Sequence, residues 1–222
     1  DVVRKNRGTL DKYIGDAIMA FWGAPVDDAQ HARHAVVTAM AMQAALPALN
    51  KDFAAKGWPE IRIGVGINTG EMTVGDMGSV VRKAYTVMGD AVNLGSRLEG
   101  ITKQYGVGIL VGESTRKAVK DIVFREVDRV QVKGKEEPVG IYEPVGLESD
   151  VGKAVHEELK LWNQALRHYR AQEWDQAEVT LLNLTRLAPE RALYGKYMER
   201  VAHLRKEPPE PDWKGVWKFE TK

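Results

Sequence analysis

The chain has 222 residues, 32 Lys+Arg against 31 Asp+Glu, six tryptophans and no cysteine. A composition 44 % hydrophobic and 28 % charged excludes wholesale disorder, and a net charge of +1 without long runs of like charge argues against capture of nucleic acid. The absence of Cys removes disulfides, thiolate nucleophiles and Cys-based zinc sites, and fits a cytosolic setting.

No apolar stretch is long enough to span a membrane, and the segment from Asp1 has no signal-peptide pattern. Two textures follow one another: residues 1 to about 146 mix Gly-punctuated alternation with helical periodicity, and the rest is helical and Trp-rich. The seam is the cluster Val145-Gly146-Leu147-Glu148-Ser149-Asp150, which divides the chain into domains at 1–146 and 147–222.

Val2 to Gly8 reads as the end of a helix. Thr9–Ile14 and Ala17–Trp22 read as strands joined by Gly15-Asp16, a hairpin turn whose exposed carboxylate rigid strands hold ready for a ligand. Apolar positions at Ala32, Ala35, Val36, Ala39, Met42 and Leu46 predict a helix from Asp28 to about Ala55, capped by Asp27 and Asp28 and stopped at Gly57. Ile61, Ile63, Val65 and Ile67 alternate as a half-buried strand, and Asn68-Thr69-Gly70 is expected to turn it into a second hairpin arm, 71–75. Asp90 opens a helix, Val107–Val111 is a strand, Glu113–Lys120 a short helix, and 123–132 and 139–144 closing strands. The order is α+β with much antiparallel pairing.

Asn93 and Arg97 share a helix face one turn apart, where a guanidinium beside an amide suits a phosphoryl group and a sugar oxygen. Taken alone, such a pair is ordinarily just a solvated helix face. Lys133-Gly134-Lys135 is a basic loop that suits a polyphosphate, or simply a charged hairpin. The glycines at 64, 66 and 70 lack the G-x-G-x-x-G spacing and a following helix, so no dinucleotide site is expected there. His31 and His34 lack a third ligand nearby and are not expected to bind metal.

Four segments now fall in one order and spacing: Lys12-Tyr13-Ile14-Gly15-Asp16-Ala17, Arg62 through Gly70, Tyr85 through Glu99, and Val132-Lys133-Gly134-Lys135. Together they closely resemble the class III adenylyl/guanylyl cyclase homology domain in its bacterial form, over residues 1 to about 144. The resemblance implies a ferredoxin-like cyclase domain with an antiparallel-rich sheet, followed here by a small all-α extension. It implies conversion of a nucleoside triphosphate to a 3′,5′-cyclic monophosphate and pyrophosphate at a homodimer interface, with two Mg²⁺ or Mn²⁺ ions per site. On the same resemblance Asp16 matches a metal-binding aspartate, Arg97 the arginine on the reacting phosphate, Asn93 the asparagine that orients the ribose, and Lys133 the triphosphate lysine.

Lys12 and Thr86 match the two purine-reading positions. Lysine donates to adenine N1 and threonine accepts from the N6 amino group, whereas guanine presents the reverse pattern and the family's guanylyl cyclases carry Glu and Cys-like residues there. ATP is the expected substrate. The family's opening strand, Phe-x-Asp-Ile with the second metal aspartate, is not in the sequence. The chain is therefore expected to be part of a longer protein and inactive alone. The alternatives are a non-catalytic nucleotide-sensing or dimerisation module of the same fold, or a guanylate cyclase.

The helical region, with Trp162, Leu166, Tyr169, Trp174 and Ala177, resembles one degenerate tetratricopeptide-type repeat, and Ala188-Pro189-Glu190 is expected to start a third helix. One repeat cannot bury its own apolar face, so it is expected to dock on the cyclase domain or a regulator, with the 213–217 tail tacking back. Similar extensions occur in related bacterial cyclases with upstream membrane-bound sensors, which implies a cytoplasmic location, as the cytoplasmic part of a membrane-anchored receptor cyclase.

Overall fold

The computed structural model describes residues 1–132 and 136–219. In chain order the elements are α1 (Val2–Lys5), β1 (Thr9–Ile14), β2 (Ala17–Phe21), α2 (His31–Ala55), β3 (Val65–Ile67), β4 (Thr73–Gly78), β5 (Lys83–Met88) and α3 (Asp90–Tyr105). They continue with β6 (Ile109–Gly112), α4 (Glu113–Ala118), β7 (Ile122–Gln131), β8 (Val139–Leu147), α5 (Lys153–Arg170), α6 (Trp174–Leu187), α7 (Ala192–Lys206) and β9 (Val216–Lys218). The chain is α+β with antiparallel and mixed pairing, and its C-terminal part is helical. It forms two compact units: residues 1–100 with 108–120, and residues 101–107 with the described residues from 121 onward.

In the first unit, β1 and β2 form the expected hairpin, with Gly15 at φ +62° in the turn. The α2 helix begins at His31 rather than Asp28. Asp28 accepts the Gln30 N–H at 3.0 Å and its other carboxylate oxygen lies 2.6 Å from His34 Nδ1, so it organises the turn ahead of the helix. The expected hairpin between 61–67 and 71–75 does not form. Instead β3 pairs in parallel with β6, and β4 pairs antiparallel with β5.

Residues 61–64, though alternating, are not a strand, because α2 side chains occupy their backbone. Asn50 exchanges two hydrogen bonds of 2.9 Å with Ile61, and Gln43 donates to Ile63 O at 3.0 Å. A side-chain amide thus does the work of a neighbouring strand.

In the second unit, β7 lies between β8, antiparallel, and β9, parallel. The register of β7 on β8 slips between Glu126 and Asp128, a bulge that releases main-chain carbonyls from the ladder. The helices use them: Trp162 Nε1 of α5 donates to Glu126 O at 2.6 Å, and the Tyr197 hydroxyl of α7 to Val127 O at 2.7 Å. Leu159, Trp162, Leu166 and Tyr169 recur at helical spacing and are all buried. Trp162 packs between Tyr194 and Tyr197 at centroid distances of 5.2 and 4.9 Å.

The third helix starts at Ala192, leaving Pro189 in the preceding turn rather than in its first turn. Arg125, 1 % exposed, is held between Glu143 at 2.7 Å and Glu158 at 3.0 Å. The helical extension therefore packs on β7, and the tail adds a strand to it.

Candidate active site

The first-unit hairpins carry two of the expected site residues together. Lys12 on β1 donates to Thr86 Oγ1 on β5 at 3.2 Å, across a sequence separation of 74 residues. Thr86 is buried, and its cross-strand partner on β4 is Gly75, so no side chain stands opposite it on that strand. Phe21 of β2 lies against Tyr85 of β5 with ring centroids 5.9 Å apart, a second tie between the hairpins.

Alternation does not predict the third member of this group. Asp11 accepts the Thr86 hydroxyl proton at Oδ2, 2.5 Å away, and its Oδ1 lies 3.4 Å from Lys12 Nζ. The Asp11 side chain is 1 % exposed, and Oδ1 has no hydrogen bond.

β5 runs through Gly89, at φ +153°, straight into α3. A Cβ there would lie 3.3 Å from Glu71 O, so glycine suits both the backbone angle and the space. The first turn forms as Val92 and Asn93 donate to Gly89 O at 3.2 and 3.3 Å. Leu94 and Leu98 face inward, while Asn93 is exposed and Arg97 half-buried, one turn apart as expected.

Two features seat this helix. Gly66 on β3 approaches it so closely that a Cβ would fall 2.2 Å from Gly95 O and 2.3 Å from Glu99 N. Asn68 Nδ2 donates to Ala91 O at 3.0 Å, and Asn68 Oδ1 accepts from Ser114 Oγ at 3.1 Å. Gly66 and Asn68 thus belong to the support of the site. The signal for them was the glycine-rich segment set aside as a dinucleotide loop.

Asp16 stands exposed at the tip of the β1–β2 hairpin. Among the described residues the site's hydrogen bonds join Lys12, Thr86 and Asp11, and do not include Asp16, Asn93 or Arg97. Lys133 lies outside the described residues. No group of three His, Asp or Glu among the described residues is placed to hold a metal ion, and Asp16 stands outside any such group. His34, paired with Asp28, belongs to no such group. No helix among the described residues is long and apolar enough to cross a membrane.

Strand β5 thus carries Thr86, bonded to Lys12 of β1, and leads through Gly89 into the helix that carries Asn93 and Arg97. The model of the family described as the adenylate and guanylate cyclase catalytic domain matches residues 2–142, and the chain belongs to that family. It is 42 % identical over 148 residues to adenylate cyclase 1 of Rhizobium meliloti, covering 66 % of this chain and 22 % of that protein. This chain thus spans about a fifth of that relative's length. Among solved structures it is similar to the adenylyl cyclase CyaB from P. aeruginosa (TM-score 0.61, 36 % identity, 68 % of this chain and 78 % of that one). It is equally similar to the guanylyl cyclase Cya2 (TM-score 0.60, 34 % identity, 68 % and 76 %). Overall similarity does not choose between the two bases.

Proposed function

We propose that this chain is the catalytic part of an adenylate cyclase that converts ATP to 3′,5′-cyclic AMP and pyrophosphate at a homodimer interface. The observation that carries the reading is the hydrogen bond from Lys12 Nζ to Thr86 Oγ1, which unites the two base-reading positions in one group. Lys12 donates to adenine N1 and Thr86 accepts from the N6 amino group; guanine offers the wrong partner to each.

In the reaction the ribose 3′-oxygen forms a bond to the α-phosphorus. The bond from that phosphorus to the oxygen bridging the β-phosphate breaks, pyrophosphate leaves, and the 3′-hydroxyl proton passes to solvent. Asn93 holds the ribose so that its 3′-oxygen meets the phosphorus in line, and Arg97 places N–H groups against the charge that builds on the phosphoryl oxygens. Lys133 binds the triphosphate tail. Of the two aspartates with which the family would hold a Mg²⁺ or Mn²⁺ pair, this sequence contains Asp16; the ions would make the 3′-hydroxyl easier to deprotonate and neutralise the triphosphate.

Asp16 acts at the site formed with the partner chain, giving two sites per symmetric dimer. Exposed apolar side chains on the hairpins, Tyr13, Ile14, Ile18, Val80 and Val81, support such an interface. The cyclase domain covers 1–146, the extension from 147 is a packing element that a regulator can also engage, and the protein works on the cytoplasmic side.

The test is a cyclase assay with ATP and GTP, with Mg²⁺ or Mn²⁺, on this chain alone and on a version carrying the family's first strand upstream. The longer protein is expected to make cyclic AMP from ATP and the shorter one little. Preference for GTP by the longer protein, or no cyclic product from either nucleotide, would overturn the reading.

A further inference from the structure

We propose that Asp11 is a specificity-determining positioning residue: its buried carboxylate takes the Thr86 hydroxyl proton, so that Thr86 can offer a nucleobase only an acceptor. The inference rests on the adenylate-cyclase reading above and adds to it the group that sets the polarity of the base site.

The placement of Asp11 is unusual for a strand. Neighbouring residues in a regular strand point to opposite faces, so Asp11 and Lys12 should not both reach one side chain. In β1 the register slips between them: Leu10 pairs with Ala20 and Lys12 with Met19, and Asp11 has no partner on β2. This bulge turns both side chains onto Thr86, with Asp11 beneath, 1 % exposed, and Lys12 above, 44 % exposed.

Counting donors and acceptors then fixes what remains for a ligand. A threonine hydroxyl has one proton and two lone pairs. The proton goes to Asp11 Oδ2 and one lone pair to Lys12, which leaves a single acceptor. The Lys12 ammonium has three protons; one goes to Thr86, the charge lies 3.4 Å from Asp11 Oδ1 without a hydrogen bond, and a donor remains for the base. One acceptor beside one donor matches adenine N6–H and N1. Guanine presents O6 and N1–H and is mismatched at both. For Thr86 to offer O6 a donor, its proton must leave Asp11. The buried carboxylate would then lose its hydrogen bond to Thr86 while its other oxygen already has none. Without Asp11 the hydroxyl turns freely and serves either base.

The test is the near-isosteric Asp11→Asn in the protein carrying the upstream strand. Affinities for ATP and GTP are read by competition against N-methylanthraniloyl-ATP in Ca²⁺. An asparagine amide can donate to Thr86 Oγ1 and free its proton, so the ATP-to-GTP affinity ratio is expected to fall about tenfold, chiefly through tighter GTP binding. A merely structural role would weaken both nucleotides together and leave the ratio where it was. Because Asp11 acts through Thr86, Asp11→Asn added to Thr86→Val should not change the ratio further. Should Asp11→Asn fail to fold, Asp11→Ser frees the same hydroxyl and is read in the same way. Wild type that prefers ATP, with the ratio unchanged in a folded variant, overturns the role of Asp11 and leaves the adenylate-cyclase reading standing. Wild type that prefers GTP, or binds neither nucleotide, overturns both.

Discussion

Arg200 of α7 and Asp128 of β7 form a buried ion pair, with Nη1 and Oδ2 2.6 Å apart. Asp128 also accepts the Tyr105 hydroxyl, and Arg200 lies 4.0 Å over the Trp217 ring of β9. One guanidinium therefore joins the last turn of α3, the strand β7, the helix α7 and the tail. Removing it leaves a carboxylate that is 1 % exposed without its cation. Arg200→Leu is expected to destabilise the fold by about 3–5 kcal/mol, and adding Asp128→Asn should restore much of the loss. Urea unfolding of the two variants measures both effects.

The tyrosines around this pair separate polar from apolar contributions. The Tyr169 hydroxyl is buried with no hydrogen-bond partner among the described residues, while Tyr197 donates to Val127 O at 2.7 Å. Tyr169→Phe is expected to leave stability unchanged or raise it by about 1 kcal/mol, and Tyr197→Phe to lower it by about 1 kcal/mol or more. Opposite signs in thermal denaturation are the expected outcome.

Alkaline pH should attack the same region. Burial pushes the Tyr169 phenol up to about 12 from the usual 10.0, and burial raises Tyr105, Tyr194 and Tyr197 as well. A raised phenol keeps its proton in the folded state after the unfolded chain has lost it. Its stabilisation is complete below pH 10 and drains away as pH rises through the folded value. Stability is expected to fall steeply between about pH 10 and pH 12, with phenolate absorbance and loss of helical dichroism rising in one cooperative step. Phenolate appearing well before the helices melt would show these rings to be accessible.

The close approach of β3 to α3 predicts that Gly66→Ala forces the strand off the helix, since its Cβ would overlap the backbone of Gly95 and Glu99. A loss of about 3 kcal/mol in stability is expected, together with a fall in turnover, because that helix bears Asn93 and Arg97. Chemical denaturation, with a cyclase assay on the protein carrying the upstream strand, measures both.

In the protein carrying the upstream strand, Arg97→Ala is expected to cut turnover by about 10²–10³ with little change in nucleotide affinity, the pattern of a group that acts on the transition state. Loss of affinity with turnover intact would place Arg97 in ground-state binding instead. Single-turnover kinetics separate the two.

The β1–β2 hairpin was legible because Gly15-Asp16 is a local turn signal, and Asn93 with Arg97 because helical spacing is local too. The β3–β6 pairing was not legible, since the partner of Val65 is Ile109, far along the chain, and no nearby residue encodes that choice. Residues 61–64 misled because alternation records burial, not which group satisfies the backbone; here Asn50 and Gln43 do so. Strand β5 was visible only as a motif, so the hairpin it makes with β4 went unread. Asp11 escaped because strict alternation sends it away from Lys12, and only a slip in register brings it back.

That slip gives the first hairpin an odd count, six residues facing five. Deleting Asp11 would make the hairpin regular and leave Lys12 opposite Met19, because the pairing from the turn up to that point is untouched. The extra residue between Gly8 and Gly15 is thus what lets one short strand set a carboxylate and an ammonium on a single hydroxyl; its loss would spare the lysine and remove only the carboxylate.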